Sequence, residues 1–248
     1  MSTLVRSSRL LVQFKSKAAK CFFTTQTNSS TNVVIVDGVR LPFAMSSTIY
    51  ADEMAVDLQR LAFKGLVDKT AIDRKDIDYV IAGSVIQEVR TSNIAREAAI
   101  NAGIPISIGG HTISMACISS NAAICAAADK IRSGHASVVL VGGCETFSDV
   151  PIRLTRPMRQ KLITLPKAMK KGGAVGAVKH MLGLKLKDVM SLETPAIANY
   201  TTGEVMGVSS DRLSAKFGVS RDDQDSFTVR SHNLAAKAHS DGYVIPHY

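Results

Sequence analysis

The sequence predicts an α/β fold: a parallel-rich mixed sheet with helices on both faces, followed by a mostly helical region. Three observations predict it. Short, wholly apolar runs recur through the first 150 residues, the pattern of strands buried on both sides. Longer segments between them repeat their apolar residues at helical spacing. The two kinds of block alternate, and repeated strand–helix–strand units call for parallel strands joined by crossovers.

Taken in order, Val33-Val34-Ile35-Val36 reads as the first strand, and the helix after it carries Met54, Leu58, Leu61, Ala62 and Leu66 on one stripe. A polar turn over residues 73–78 leads into Tyr79-Val80-Ile81-Ala82, a second strand closed by Gly83. Residues 93–102 form an Ala-rich helix that stops at Gly103 and Pro105. The third strand, residues 112–116, delivers Cys117, and a helix over residues 120–132 ends at Gly134. Val138-Val139-Leu140-Val141 is the fourth strand, halted by Gly142-Gly143. Residues 152–190 scatter apolar side chains among basic ones, and Gly172-Gly173 should break them into two short helices. Two more helices follow, over residues 204–217 and from a Ser220-x-x-Asp223 cap to Gly242.

Composition narrows the function classes. The chain has 248 residues, 46% of them apolar, and a net charge of +9. That charge is local. Residues 1–36 hold five basic residues and residues 153–187 hold ten, with no acid in either, so the rest is net −6. Nucleic-acid binding is therefore disfavoured, and no aromatic side chain interleaves with the basic residues of 153–187. Cysteines 21, 117, 125 and 144 have neither Cys-x-x-Cys spacing nor a companion His cluster, which argues against zinc and against a disulfide scaffold. Residues 1–31, basic, rich in Ser and Thr and free of acids, read as a mitochondrial transit peptide. The basic stretch 153–187 is compatible with lying on an anionic surface or with packing as a solvated hairpin.

Cys117 is the candidate catalytic residue. An apolar run stops at its thiol and a small-residue helical segment begins at once, so strand end and helix start would hold the sulfur and favour its thiolate. Local chemistry leaves a second reading open, that of an ordinary buried cysteine. Cys125, eight residues on, reads as a packing residue, and Cys144 is assigned no chemistry.

The stretch Ile113-Ser114-Met115-Ala116-Cys117-Ile118-Ser119-Ser120-Asn121, with Ile124 and Ile131, resembles the acyl-enzyme signature of the thiolases. The element from Gly142-Gly143-Cys144-Glu145 through Ser148 to Pro151 is similar to the family's Gly-Gly-x-Glu-x-x-Ser-x-x-Pro. Met206-Gly207 with Ser220-Arg221, Gln224-Asp225 and Ser231 resembles its cover-domain helices, and residues 33–37 with Arg40-Leu41-Pro42-Phe43 its opening strand and turn. Within the thiolases the likeness is to the β subunits of mitochondrial trifunctional proteins. The resemblance implies a layered thiolase fold, of which this chain would hold the first half: a transit peptide over 1–31, the α/β core over 32–151 and a helical cover domain over 152–248 with a basic insertion at 152–190.

It further implies a 3-ketoacyl-CoA thiolase of fatty-acid β-oxidation with Cys117 as the acylated nucleophile, Met206 lining the pantetheine channel, and coenzyme A as co-substrate rather than bound cofactor. The partners implied are 3-ketoacyl-CoA, further copies of the chain, a trifunctional-protein α subunit, and inner-membrane anionic lipid along residues 153–187, on the matrix side. The family's Gly-His-Pro histidine, its second cysteine and its Asn-Glu-Ala-Phe segment have no match: His111, His135, His180, His232, His239 and His247 are none of them followed by Pro. The chain alone is therefore expected to lack turnover. Two alternatives remain: a non-catalytic interaction partner of the trifunctional complex, and another Cys-dependent acyltransferase or synthase on the same scaffold.

Overall fold

The computed structural model describes residues 32–242. The transit peptide expected over 1–31 lies outside the described residues.

Three parallel strands form the central sheet in the order β2-β1-β3, with β1 at Tyr79–Gly83, β2 at Gly109–Ile113 and β3 at Val139–Gly143. The register pairs Tyr79 with Gly109 and Val139, and Gly83 with Ile113 and Gly143. Alternate residues along each strand point to opposite faces. Val80, Ala82 and Leu140 accordingly pack with Phe63 and Val67 of α1 (Ala55–Thr70) and with the alanines of α2 (Ile94–Asn101). Ile81 points the other way, with Tyr79, Val139 and Val141, onto Ala123 and Ala127 of α3 (Ser119–Arg132). The result is three layers, with helices on both faces as expected.

Small side chains set the spacing. Ala95, Ala98, Ala99 and Ala102 are all buried on one side of α2, so that helix sits close against sheet and α1. Its N-terminus is pinned by Asn93, whose Oδ1 accepts from the Arg96 N–H at 3.3 Å and from the Thr112 hydroxyl at 3.0 Å, while Nδ2 donates to the Gly110 carbonyl at 2.9 Å. One capping residue thus fastens α2 to β2.

At the other end of the sheet, the Asp78 carboxylate accepts from the N–H groups of Ser137 at 2.6 Å and Val138 at 3.0 Å, joining the entrances of β1 and β3. Those two donors hold its carboxyl below the ordinary 3.8, against a smaller opposing effect of desolvation. A depressed carboxyl pKa stabilises the fold above the unfolded-state value, and that contribution is lost as pH falls through the folded value. Asp78→Asn is therefore expected to lower the urea midpoint at pH 7 and to flatten its decline as pH falls below about 4, which denaturation at a series of pH values would measure.

Two sequence expectations are corrected. Residues 33–36 do not form a strand: Val34, Ile35 and Val36 are 73–86% exposed. An apolar run becomes a strand only beside a backbone that completes its hydrogen bonds, and among the described residues no strand lies next to it. In α1 the buried stripe is Ala55, Leu58, Gln59, Phe63 and Val67, so of the five predicted apolar contacts only Leu58 is buried. Packing turned the helix to seat Phe63 against the sheet, and the Gln59 amide went in with it, leaving both its polar atoms without a partner.

Past Pro151, β4 (Arg153–Leu154) and β5 (Leu192–Glu193) form a two-residue antiparallel ladder that closes the root of the basic segment. Glu193 reinforces it by accepting from the Arg156 N–H at 3.0 Å and pairing with Arg159. Between the strands lie α4 (Arg156–Met181) and α5 (Leu186–Met190). Gly172 and Gly173 leave helical geometry, Gly173 at φ +57°, and fold α4 into a hairpin. His180 then reaches back to the Thr164 hydroxyl at 2.8 Å. The break expected at the glycine pair is present. The ladder was invisible in the sequence, since two residues carry no periodicity.

The last helices are α6 (Met206–Lys216) and α7 (Arg221–Ser240). Ser220 caps α7 as expected, accepting from the Asp223 N–H at 3.1 Å while Asp223 accepts from the Ser220 N–H at 3.2 Å. Neither helix buries a residue.

Candidate functional site

Parallel strands deliver their following loops to one edge, and ligand sites of α/β sheets form at that carboxyl edge. Three such loops meet here. The last rung beside β2 is the Ser84 N–H donating to the Ile113 carbonyl at 3.1 Å. The third strand therefore ends at Ile113 and not at Ala116 as expected, because β1 offers no backbone beyond Gly83 and Ser84 for it to follow.

Released from the sheet, the chain turns sharply. Ala116 takes φ +46°, a left-handed conformation uncommon for a residue with a Cβ. The Ile118 N–H donates to the Met115 carbonyl at 3.3 Å and the Ser119 N–H to the Ala116 carbonyl at 3.1 Å, closing two overlapping turns around Cys117. The Ser119 side chain is buried beneath them, accepting from the Met115 N–H at 2.8 Å and donating to the Ala116 carbonyl at 2.6 Å. Cys117 stands exposed at the tip. Helix α3 begins two residues later with Ile118 as N-cap and no side chain capping it, so its first N–H groups face the same edge.

This turn rests on glycines. A Cβ at Gly83 would come within 2.5 Å of the backbone of Ser119 and Ser120, and one at Gly143 within 1.8 Å of the Ser120 hydroxyl. The start of α3 is thus pressed onto the ends of β1 and β3. Beside it, the Glu145 carboxylate accepts from the N–H groups of Val85 at 3.0 Å and Ile86 at 3.1 Å, fixing the loop after β1 to the end of β3.

The other sulfurs behave differently. Burial, and secondarily the Glu145 charge, push the Cys144 thiol up to about 12, so it stays protonated at neutral pH and is no nucleophile. Cys125 is exposed, not a packing residue: α3 buries Ser119, Ala123 and Ala127, a stripe spaced by four that Cys125 faces away from. Met206 opens α6 with nearly half its surface exposed. Neither Met206 nor Cys117 lines the 630 Å³ groove between residues 39–46, α1 and the segment after β3, or the groove inside the basic hairpin. The first groove does include Gln59, Cys144 and Glu145.

Sequence reading singled out Cys117 and assigned no role to the two side chains, Ser119 and Glu145, that shape its surroundings. Ser119 carried a usable signal, because serine often bonds backbone groups a few residues away in turns. Glu145 stood in a motif of the resemblance, but no local pattern shows its donors, which lie about 60 positions away in the chain.

Residues 33–246 match the family model described as "Thiolase, N-terminal domain". The chain is 47% identical over 211 residues to a protein of Caenorhabditis elegans named "Probable 3-ketoacyl-CoA thiolase", covering 85% of this chain and 46% of that protein. It is 46% identical over 233 residues to "Trifunctional enzyme subunit beta, mitochondrial" of Mus musculus, covering 94% and 47%, and 46% identical over 213 residues to the Homo sapiens protein of the same name, covering 86% and 44%. Among solved structures, the acetyl-CoA acetyltransferase of Bacillus anthracis superposes with a TM-score of 0.66 at 27% identity, over 85% of this chain and 48% of that one. The chain thus spans about half the length of the relatives it matches.

Proposed function

The chain belongs to the thiolase family through its N-terminal domain, and from that membership we propose that it supplies the nucleophile of an acetyl-CoA C-acyltransferase, a 3-ketoacyl-CoA thiolase of mitochondrial fatty-acid β-oxidation. The observation that carries this reading is the placement of Cys117: exposed at the tip of a strained turn, at the carboxyl edge of a parallel sheet, beside an uncapped helix start. In the proposed reaction the Cys117 thiolate attacks the keto carbonyl of a 3-ketoacyl-CoA. The bond between the α and β carbons breaks, the two-carbon fragment takes a proton and leaves as acetyl-CoA, and the shortened acyl group stays on sulfur. The thiol of a second coenzyme A displaces it and gives up its proton as the thiolate is restored. Backbone N–H groups at the start of α3 would steady the oxyanion on the carbonyl.

Around this centre, residues 1–31 act as the transit peptide, 32–151 as the catalytic core and 152–248 as a cover domain in which Met206 lines the pantetheine channel. Coenzyme A serves as a co-substrate. The names of the relatives support mitochondrial placement and an α subunit partner. The basic hairpin would lie on inner-membrane anionic lipid from the matrix side, each lysine or arginine near the surface contributing about 1 kcal/mol. No helix among the described residues is long and apolar enough to cross a membrane.

Incubating the purified chain and the full-length Caenorhabditis elegans relative with a 3-ketoacyl-CoA, followed by peptide mass spectrometry, tests the reading. The acyl adduct is expected on Cys117 in this chain and on the matching cysteine in the relative, with turnover only in the latter. Acylation of any other residue would sink it.

One observation favours a second reading, a non-catalytic partner of the trifunctional complex. Phe217, Phe227, Val229 and Leu234 on and beside α6 and α7 are 54–73% exposed, an apolar surface that a companion chain would cover. Co-purification with an α subunit in the absence of any acyl adduct would favour it.

A further inference from the structure

We propose that Ser119 is a positioning residue: its buried hydroxyl staples the left-handed turn that presents Cys117. The inference rests on Cys117 being the nucleophile and names what holds it in place. A serine at a helix start ordinarily bonds forward, its oxygen taking a backbone N–H one turn into the helix. Ser119 does the opposite. It is 4% exposed, and both of its polar bonds run backward, from the Met115 N–H at 2.8 Å and to the Ala116 carbonyl at 2.6 Å. It therefore satisfies nothing in the first turn of α3, which no side chain caps.

What the two bonds enclose is the strained residue. Ala116, at φ +46°, lies inside the ring they close, one position before Cys117. A left-handed alanine persists only where its surroundings over-determine it. The hydroxyl supplies one such constraint. Gly83 supplies another, because its missing Cβ lets the Ser119 backbone pack directly on the end of β1. Without the hydroxyl, Ala116 returns to an ordinary φ and the thiol leaves the tip of the turn. The same change leaves the Met115 N–H without its partner, while the Ala116 carbonyl keeps only the Ser119 N–H.

The experiment is iodoacetamide labelling of the purified chain with peptide mapping, using Cys125, exposed on the same helix, as internal reference. In Ser119→Ala the ratio of Cys117 to Cys125 labelling rates is expected to fall at least fivefold. Adding Ala116→Gly, which makes the left-handed conformation costless, should recover most of that loss. A structural role confined to helix stability would move both cysteines together and would not be rescued at residue 116. An unchanged ratio in Ser119→Ala, or a loss that Ala116→Gly does not restore, overturns the proposal. If Ser119→Ala does not fold, the double variant decides: recovery of fold and ratio supports the staple, and continued misfolding overturns it. Acylation of the unsubstituted chain by 3-ketoacyl-CoA is read separately. A shifted labelling ratio with no acyl adduct upholds the staple and removes the nucleophile reading, whereas acylation that Ser119→Ala leaves intact along with the ratio removes the staple alone.

Discussion

Gly83→Ala is expected to lower the unfolding free energy by about 3 kcal/mol, at the upper end for overpacking, with a matching fall in urea midpoint. A Cβ there lands 2.5 Å from the Ser119 carbonyl carbon and the Ser120 nitrogen. Those are backbone atoms at the start of a helix whose other end is packed on the sheet, so no rotamer change relieves the overlap. Either β1 slides away from its neighbours or α3 lifts off them, and both movements open the layer formed by Ile81, Ala123 and Ala127. The control is Gly65→Ala in α1, where nothing lies within 4 Å of the added carbon. That change should stabilise by up to about 1 kcal/mol, since alanine is the better helix former. Equal effects at the two glycines would refute the close packing of α3 on β1.

Cys117→Ala is expected to remove the acyl adduct from this chain. In a full-length relative, the same change at the matching cysteine should cost about 10³-fold or more in keto-acyl cleavage, as loss of a covalent nucleophile does. Because Cys117 is exposed, the substitution should change stability by no more than about 0.5 kcal/mol. Chemistry and folding are thereby separated: a variant with an unaltered melting curve and no adduct has lost only its sulfur. Cys144→Ala should do the reverse, disturbing a half-buried site while leaving acylation in place, since the Cys144 thiol is held protonated by burial. An adduct that survives Cys117→Ala would end the catalytic reading.

Much of this was legible in the chain. Val80, Ile81 and Leu140 announce buried strands because both faces of a parallel sheet are covered, and the alanines of α2 announce a helix that packs close. Ser220 and Asp223 mark a helix start by chemistry that operates within four residues. Errors fell where the deciding contact was distant. Residues 33–36 have the composition of a strand but no backbone beside them, and the α1 stripe turned by one position because Phe63, not Leu61 or Ala62, found the sheet.

The same division runs through the site. Residue order alone determined that a thiol would stand between an apolar segment and a helix, that alternating blocks would build a parallel sheet, and that a glycine pair would break the basic segment, because each depends on local periodicity or on the properties of single residues. Only the tertiary structure decided where the strand before Cys117 stops, that Ser119 bonds backward under the turn, and that Glu145 holds the loop after β1. Those outcomes are set by which backbone runs alongside which. Strand register and the approach of α3 to Gly83 join segments tens of residues apart, and local patterning does not encode such distances.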